Sequence, residues 1–402
     1  MDRRRVLAAG AAGVATAALG GGAAAAGRSA GALGELAGAL GATATPVDRG
    51  IGWTRTRFLV EDGGVPYAVD VLADTAQRPQ SVAYLLPGGG LNFTANFFTP
   101  RERNLAHHLR RLGHLVIGIT PREDLATAAD ITADRGLAAH RADARRVIDA
   151  VDAALGLPYR LIGHSAGAAL ALDLASHGVG KRLERVVVLD TTGPYEGDLA
   201  VRAGQARDAF QALIDQGSYV NDPGLKGLLA RALSDPDGAS PVPRPVDPAT
   251  RFTHAGLAHY ALIRTATLPG PANWIYRQGH AAGTYTFGAS PAEDRFTLAH
   301  SPLAVWGEAT AALGSGLIPH ALLRDLCAVW AGDDVIAWDR IGAEVVWVNM
   351  ELGRGGFPLG AELIRRGGNR HVTFQVVPGY AHGDPVWGEQ ADGEVWPLLT
   401  PR

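Results

Sequence analysis

Cysteine is almost missing from this sequence: among 402 residues there is one, Cys327. An intramolecular disulfide is therefore impossible, and so is a metal site built from several thiolates. A lone cysteine of this kind reads as a buried apolar thiol. Lysine is nearly as scarce. Only Lys181 and Lys226 occur, so arginine carries the positive charge, and the formal net charge is −3. That balance argues against a protein that works by holding nucleic acid, because phosphate binding needs a basic surface. Also missing are a His-Glu-x-x-His zinc motif and a phosphate-cradling glycine loop of the nucleotide type, so neither metal nor cofactor is expected. No internal repeat is visible, and no linker marks an independent second domain.

What is present is enough apolar material for a large core: 47% of residues are hydrophobic and 19% charged. The first stretch is best set apart from it. Arg3, Arg4 and Arg5 precede Val6-Leu7, and an Ala/Gly-rich run then continues without charge to Arg28. A basic start, a mildly apolar middle and small residues near a cleavage point, at Ala26 or Ala44, describe a secretory leader. The arginine pair followed by Arg5-Val6-Leu7 looks like the twin-arginine export pattern. The expectation is a protein handed to export machinery and working outside the cytoplasm, with residues 1–45 as signal and flexible segment. A retained membrane anchor is the alternative.

From Trp53 onward strands alternate with helices. Trp53–Val60 and Tyr67–Leu72, separated by Asp62-Gly63-Gly64, predict an opening hairpin. Ser81–Leu86 is an apolar run ending in Pro87-Gly88-Gly89-Gly90. Further strands are predicted at His114–Ile119, Tyr159–Gly163, Arg185–Leu189, Glu344–Met350 and Val372–Val377. Helices are predicted near 101–112, 134–155, 166–177, 359–366 and 385–399. Such alternation implies a mostly parallel sheet covered on both faces. It breaks after Asp190. Residues 194–339 read as a largely helical or irregular insertion, with a proline-rich stretch at Pro241–Pro248 and scattered aromatics including Trp274, Tyr276, Trp306 and Trp330. The core accordingly falls into two parts, 46–193 and 340–402, with the insertion as a cap.

Gly163-His164-Ser165-Ala166-Gly167 has the pattern Gly-x-Ser-x-Gly. It sits where a strand ends and a helix begins at once, which leaves the hydroxyl exposed on a sharp turn that glycines permit. Ser165 is the candidate nucleophile. Its base should follow later in the chain, and His382, in Pro378-Gly379-Tyr380-Ala381-His382-Gly383-Asp384, lies between the last strand and the last helix. Asp384 reads as the cap of that helix.

The elbow, the glycine run, the late histidine and the inserted segment together make the chain, over roughly residues 50–400, resemble the α/β-hydrolase superfamily. The resemblance implies a central, mostly parallel sheet flanked by helices with a large, mainly helical cap. It carries over Ser165 as nucleophile, His382 as base, and an oxyanion hole from the Ala166 amide plus one in the glycine loop, at Gly89 or Gly90. The acid departs from the usual pattern. Where many members have Gly-x-x-Asp after the strand that follows the cap, this chain has Val348-Asn349-Met350-Glu351-Leu352-Gly353-Arg354, with glycine at the expected position. Glu351 is one candidate. Asp190, straight after the preceding strand as in pancreatic-type lipases, is the other and is preferred.

A serine nucleophile disfavours the carboxylate-ester chemistries of the same fold and points to acyl transfer through an acyl-serine. The expected substrate is a small, mostly apolar ester, lactone or thioester. An acyltransferase or cyclase with the same triad, and a binding protein on a degenerate hydrolase fold, are the alternatives.

Overall fold

Apolar β-prone runs separated by helices collapse into a single nine-stranded sheet in the computed structural model, which describes residues 34–61 and 64–400. The arginine-rich leader and part of the first expected turn, residues 62 and 63, lie outside the described residues. The strands are β1 (Ala44–Gly50), β2 (Trp53–Val60), β3 (Tyr67–Asp74), β4 (Ser81–Leu86), β5 (His114–Thr120), β6 (Tyr159–His164), β7 (Leu183–Leu189), β8 (Glu344–Met350) and β9 (Val372–Val377). Their order across the sheet is β1-β2-β3-β5-β4-β6-β7-β8-β9. The first three join antiparallel, β3 pairs antiparallel with β5, and every pair from β5 to β9 is parallel.

Parallel strands need crossovers, and these cover both faces. Side-chain parity along the strands records this directly. In β4, Val82, Tyr84 and Leu86 enter one core while Ala83 and Leu85 enter the other. In β8 the same split separates Val345 and Trp347 from Val346, Val348 and Met350. The helix Leu137–Leu155 presents Leu137, Ala144, Val147, Ile148 and Val151 to the first core and stops at Gly156, whose φ of 60° supplies a left-handed cap.

Parallel pairing also aligns the strand ends. Leu86 of β4 lies opposite Gly163 of β6, His164 opposite Leu189 of β7, Leu189 beside Val348 of β8, and Met350 opposite Val377 of β9. The glycine loop, Ser165, Asp190, the 351–354 segment and the 378–382 loop therefore emerge along one edge. In open parallel sheets that edge is where ligands bind.

The structure departs from expectation in three places. The fold begins earlier than residue 46: residues 34–40 form a helix that buries Leu36 and Leu40 in the first core, and β1 runs antiparallel to β2. The single last helix is instead three short ones, Asp384–Trp387, Ala391–Glu394 and Trp396–Leu399. Gly388 turns to an extended conformation, and Pro397, lacking an N–H, suits the start of a new helix rather than the middle of an old one. The insertion between β7 and β8 is helical in part, with helices such as Gly197–Asp215, His254–Ile263 and His320–Ala331. It also holds three antiparallel strand pairs, one of them formed by the proline-rich stretch itself, Ala239–Arg244 with Asp247–Thr253. No helix among the described residues is long and apolar enough to cross a membrane.

Burial of Leu36 and Leu40 gives the early boundary an energetic test. Leu36→Ala and Leu40→Ala should each lower unfolding stability by about 2–3 kcal/mol, as core leucine truncations do. Urea melts with an unchanged m-value would report it; a loss below about 0.5 kcal/mol for both would mean the helix does not belong to the core.

Candidate active site

The turn after β6 is tight because two glycines leave no alternative. A Cβ on Gly163 would lie 2.1 Å from the Gly167 carbonyl oxygen, and one on Gly167 would lie 2.0 Å from that of Leu86. The helix Ala166–Ser176 thereby packs directly on the sheet. Ser165 is left at φ 57°, ψ −118°, a conformation that L-residues rarely adopt. Among the described residues only one other non-glycine has positive φ, and it is Asp190, at 49°. Backbone strain is thus confined to two candidate site residues, a pattern typical of functional positions.

Asp190 is fully buried, and both oxygens of its carboxylate are hydrogen-bonded. Oδ1 accepts the backbone N–H groups of Met350 (2.7 Å) and Arg354 (3.1 Å), while Oδ2 stands 2.6 Å from Nδ1 of His382. Gly353 makes room for it: a Cβ there would lie 2.2 Å from Asp190 Oδ2. Position 353, the expected place of the acid by sequence pattern, and position 190 thus address the same point in space. Glu351 does not reach it. Its side chain is exposed, and Oε2 accepts the N–H of Gly379 at 2.8 Å.

With Nδ1 donating to Asp190, His382 keeps its lone pair on Nε2. Burial and the nearby Arg354 guanidinium hold this imidazole well below its ordinary pKa, so it is neutral at pH 7. Burial raises Asp190 to about 6, against the opposing pull of the Met350 and Arg354 N–H groups and the Arg354 charge. The ring of His382 is flanked by His164 at 4.8 Å, Tyr276 at 5.0 Å and His280 at 5.7 Å between centroids. Desolvation lowers His280 to about 4 and His164 to about 3, so both are neutral neighbours. Ser165 is 9% exposed, and its hydroxyl makes no hydrogen bond among the described residues. Apo sites commonly leave that contact open until substrate arrives.

The glycine loop lies against the elbow. A Cβ on Gly88 would be 3.3 Å from that of Ser165, and one on Gly89 would be 3.7 Å from that of Ala166. The Gly88 N–H is already committed to Asn96 Oδ1 at 2.9 Å. Gly90, at φ 73°, is pressed against Ile318 of the insertion. The N–H groups of Gly89 and Ala166, the latter at the first turn of a helix, are adjacent donors with no hydrogen-bond partner among the described residues, and the Gly90 N–H likewise has none. An apolar cavity lined by Gly89, Ala166, Leu137, Leu170 and Leu322 abuts the same loop.

Several residues of this site make contacts that the sequence did not reveal. Asn96 and His164 form a relay: the Asn96 amide donates to His164 Nδ1 (3.1 Å), and His164 Nε2–H donates to the His382 carbonyl (2.9 Å). One buried imidazole therefore joins the glycine loop, the elbow and the histidine loop. Asp384 is not a helix cap; that position belongs to Gly383. Its carboxylate instead accepts the N–H groups of Ala381 and Ala282 (both 2.9 Å) and the Ser301 hydroxyl (2.6 Å), tying the histidine loop to the insertion. Tyr276 and His280 come from the insertion, whose aromatics were visible but whose pairing with His382 was not. Arg354 follows Gly353 directly, and nothing in its sequence neighbourhood marks it as buried.

No protein-family model matches the sequence, and no curated protein is similar to it by sequence. Solved structures do match. A candidate lipase from Sulfolobus solfataricus aligns with a TM-score of 0.60 and 15% identity, over 89% of this chain and 97% of its own. An enol-lactonase from Burkholderia xenovorans LB400 aligns at TM-score 0.42 and 12% identity, covering 81% and 93% of the two chains. A second candidate lipase, from Acinetobacter baumannii, aligns at 0.40 and 12%, covering 91% and 90%. At such identities the likeness concerns architecture. The first of these likenesses, at a TM-score of 0.60, together with the nine-stranded sheet and its aligned strand-end loops, establishes that this chain has the α/β-hydrolase fold.

Proposed function

We propose that the protein is a serine hydrolase that cleaves ester-type bonds through an acyl-serine, with Ser165 as nucleophile, His382 as base and Asp190 as orienting acid. The observation that carries this reading is the buried Asp190–His382 hydrogen bond of 2.6 Å beside a strained serine elbow. In the first step the Ser165 oxygen bonds to the substrate carbonyl carbon while its proton passes to His382 Nε2. The N–H groups of Gly89 and Ala166 receive the oxyanion. The carbon–oxygen bond to the alcohol then breaks, and the alcohol leaves with the proton from His382. Water repeats the sequence on the acyl-serine, giving the acid and returning the proton to Ser165. Asp190 holds the Nδ1–H tautomer and stabilises the imidazolium of each step. The apolar cavity beside the glycine loop suits a hydrocarbon portion of the substrate. The leader belongs to the same reading: Arg3 and Arg4 address the folded enzyme to twin-arginine export, and their replacement by lysine should retain it in the cytoplasm.

A fluorophosphonate probe should form one adduct, on Ser165. It should be absent in Ser165→Ala and strongly slowed in His382→Ala. No adduct on a folded protein in a probe series of decreasing size would overturn the nucleophile assignment.

The two acids separate cleanly. Asp190→Asn should lower kcat by roughly 10³–10⁴-fold, the size seen when a triad carboxylate loses its charge, whereas Glu351→Gln should stay within about twofold. Gly353→Ala, which pushes a methyl into the Asp190 carboxylate, should lower kcat by ~100-fold with KM little changed. The reverse order of the Asp190 and Glu351 effects would exchange their roles.

The pH profile follows from the same burial. The competent state has His382 neutral and Asp190 ionised, and both are lost by proton uptake as pH falls. With His382 depressed by burial and by Arg354, and Asp190 at about 6, kcat/KM should be flat from about pH 7 upward. It should fall below about pH 6. An acid limb centred above pH 7 would contradict a depressed histidine.

A further inference from the structure

Arg354 is the least accounted-for side chain in the molecule. It is 2% exposed, yet Nε and Nη1 have no hydrogen-bond partner. No carboxylate oxygen among the described residues lies within 4.0 Å of its guanidinium. Burying a cation without an acceptor costs several kcal/mol unless something opposite in charge offsets it. Its surroundings offset only part. The guanidinium lies 4.9 Å from the ring centroids of both Tyr276 and Trp330, between two aromatic rings that offer attraction but no acceptor atom. The Tyr195 hydroxyl oxygen accepts from the guanidinium, which still leaves Nε and Nη1 unmet, and the fully buried Trp330 adds a further orphan donor, Nε1–H. Guanidinium and indole can only donate. Donors thus outnumber acceptors around the guanidinium, with two of its own N–H groups and the indole N–H unmet.

It also adjoins the chemistry. Tyr276 touches Arg354 on one side and packs edge-on to His382, at 5.0 Å, on the other. Two spacings of 4.9 and 5.0 Å end to end keep the guanidinium within about 10 Å of the His382 ring. The Asp190 carboxylate is not the missing acceptor: it bonds the N–H groups of Met350 and Arg354 and the His382 ring, and the Arg354 guanidinium is not among its partners.

We propose that Arg354, assisted by Trp330 Nε1–H, is a buried subsite for a carboxylate on the substrate, so that the preferred substrates are anionic esters whose acyl part ends in a second carboxylate. This rests on the ester-hydrolase reading above and narrows its substrate class. A carboxylate supplies both the charge and the acceptor lone pairs that the pocket lacks, and arginine is the side chain whose planar donors match it best. The aromatic walls suit the hydrocarbon chain between the two carbonyl groups.

The test has a kinetic arm and a binding arm. In the first, 4-nitrophenyl monoesters of linear dicarboxylic acids, succinate through suberate, are compared with neutral 4-nitrophenyl esters of equal chain length. At least one anionic ester should be preferred by ~30-fold in kcat/KM, the usual worth of a charged hydrogen-bonded contact. The anionic-to-neutral ratio should collapse in Arg354→Met and recover in part in Arg354→Lys, which keeps charge but not the planar donors. Because the readout is a ratio, a general loss of activity in either variant does not move it. In the second arm, calorimetry on Ser165→Ala should detect the free dicarboxylate whose monoester is best, and not its diamide. Neutral esters cleaved as well as anionic ones, with no dicarboxylate bound, would overturn the subsite and leave the hydrolase reading intact. Dicarboxylate binding that Arg354→Met abolishes, in a protein that cleaves no ester and takes no fluorophosphonate, would keep the subsite and overturn the hydrolase reading.

Discussion

A carboxylate with no solvent exposure needs hydrogen-bond donors on both oxygens, and Asp190 meets that demand by drawing three chain segments together. The N–H groups of Met350 and Arg354 bring in the loop after β8. The imidazole of His382 brings in the loop after β9. Aligned parallel register delivers all three to one edge, and the absent side chain of Gly353 keeps the central point open. If the carboxylate is displaced, the tautomer of His382, the position of Arg354 and the course of both loops lose their common support.

The elbow is the complementary constraint. Gly163 and Gly167 allow a helix to start on the sheet surface with no spacing residue, and Ser165 takes up the resulting strain. His164, the first variable position of the motif, turns out to be fixed by chemistry. A neutral imidazole can accept from Asn96 and donate to the His382 carbonyl at once, and no other side chain offers both functions on a ring of that reach. The glycine loop, the nucleophile turn and the base are consequently held in one hydrogen-bonded unit.

Most of the sheet was legible because its strands are short, apolar and flanked by turn residues; β4, β8 and β9 fall where the sequence put them. The serine and histidine were legible because motif and chain order constrain them. What stayed hidden depends on tertiary context. β1 is largely exposed and carries Pro46, Asp48 and Arg49, so nothing in its composition marks a strand until β2 is there to pair with. The choice between Asp190 and Glu351 turned on a distance through space, and Gly353 counted as a missing acid when it is in fact the vacancy that the acid of a different strand fills. Arg354 gives no pattern at all, because a buried arginine is defined by what surrounds it.

The stitching between the insertion and the strand-end loops has a mechanical meaning. The N–H groups of Arg277 and Gln278 donate to the carbonyls of Gly353 and Leu352 at 2.8 Å, and Gly383 donates to His280 at 2.7 Å. Asp384 adds two more bonds across the same line. Those are the very loops that carry Arg354 and His382. Lifting the insertion there would pull the imidazole away from Asp190, so this flank behaves as a seam rather than a door. The opposite flank, where Ile318 rests on Gly89 and Gly90, is bonded as well: the N–H groups of Gly314 and Ser315 donate to Asp124 at 2.9 and 2.8 Å, and Leu137 N–H donates to Asp325 at 2.8 Å, so the insertion is fastened along both edges of the site.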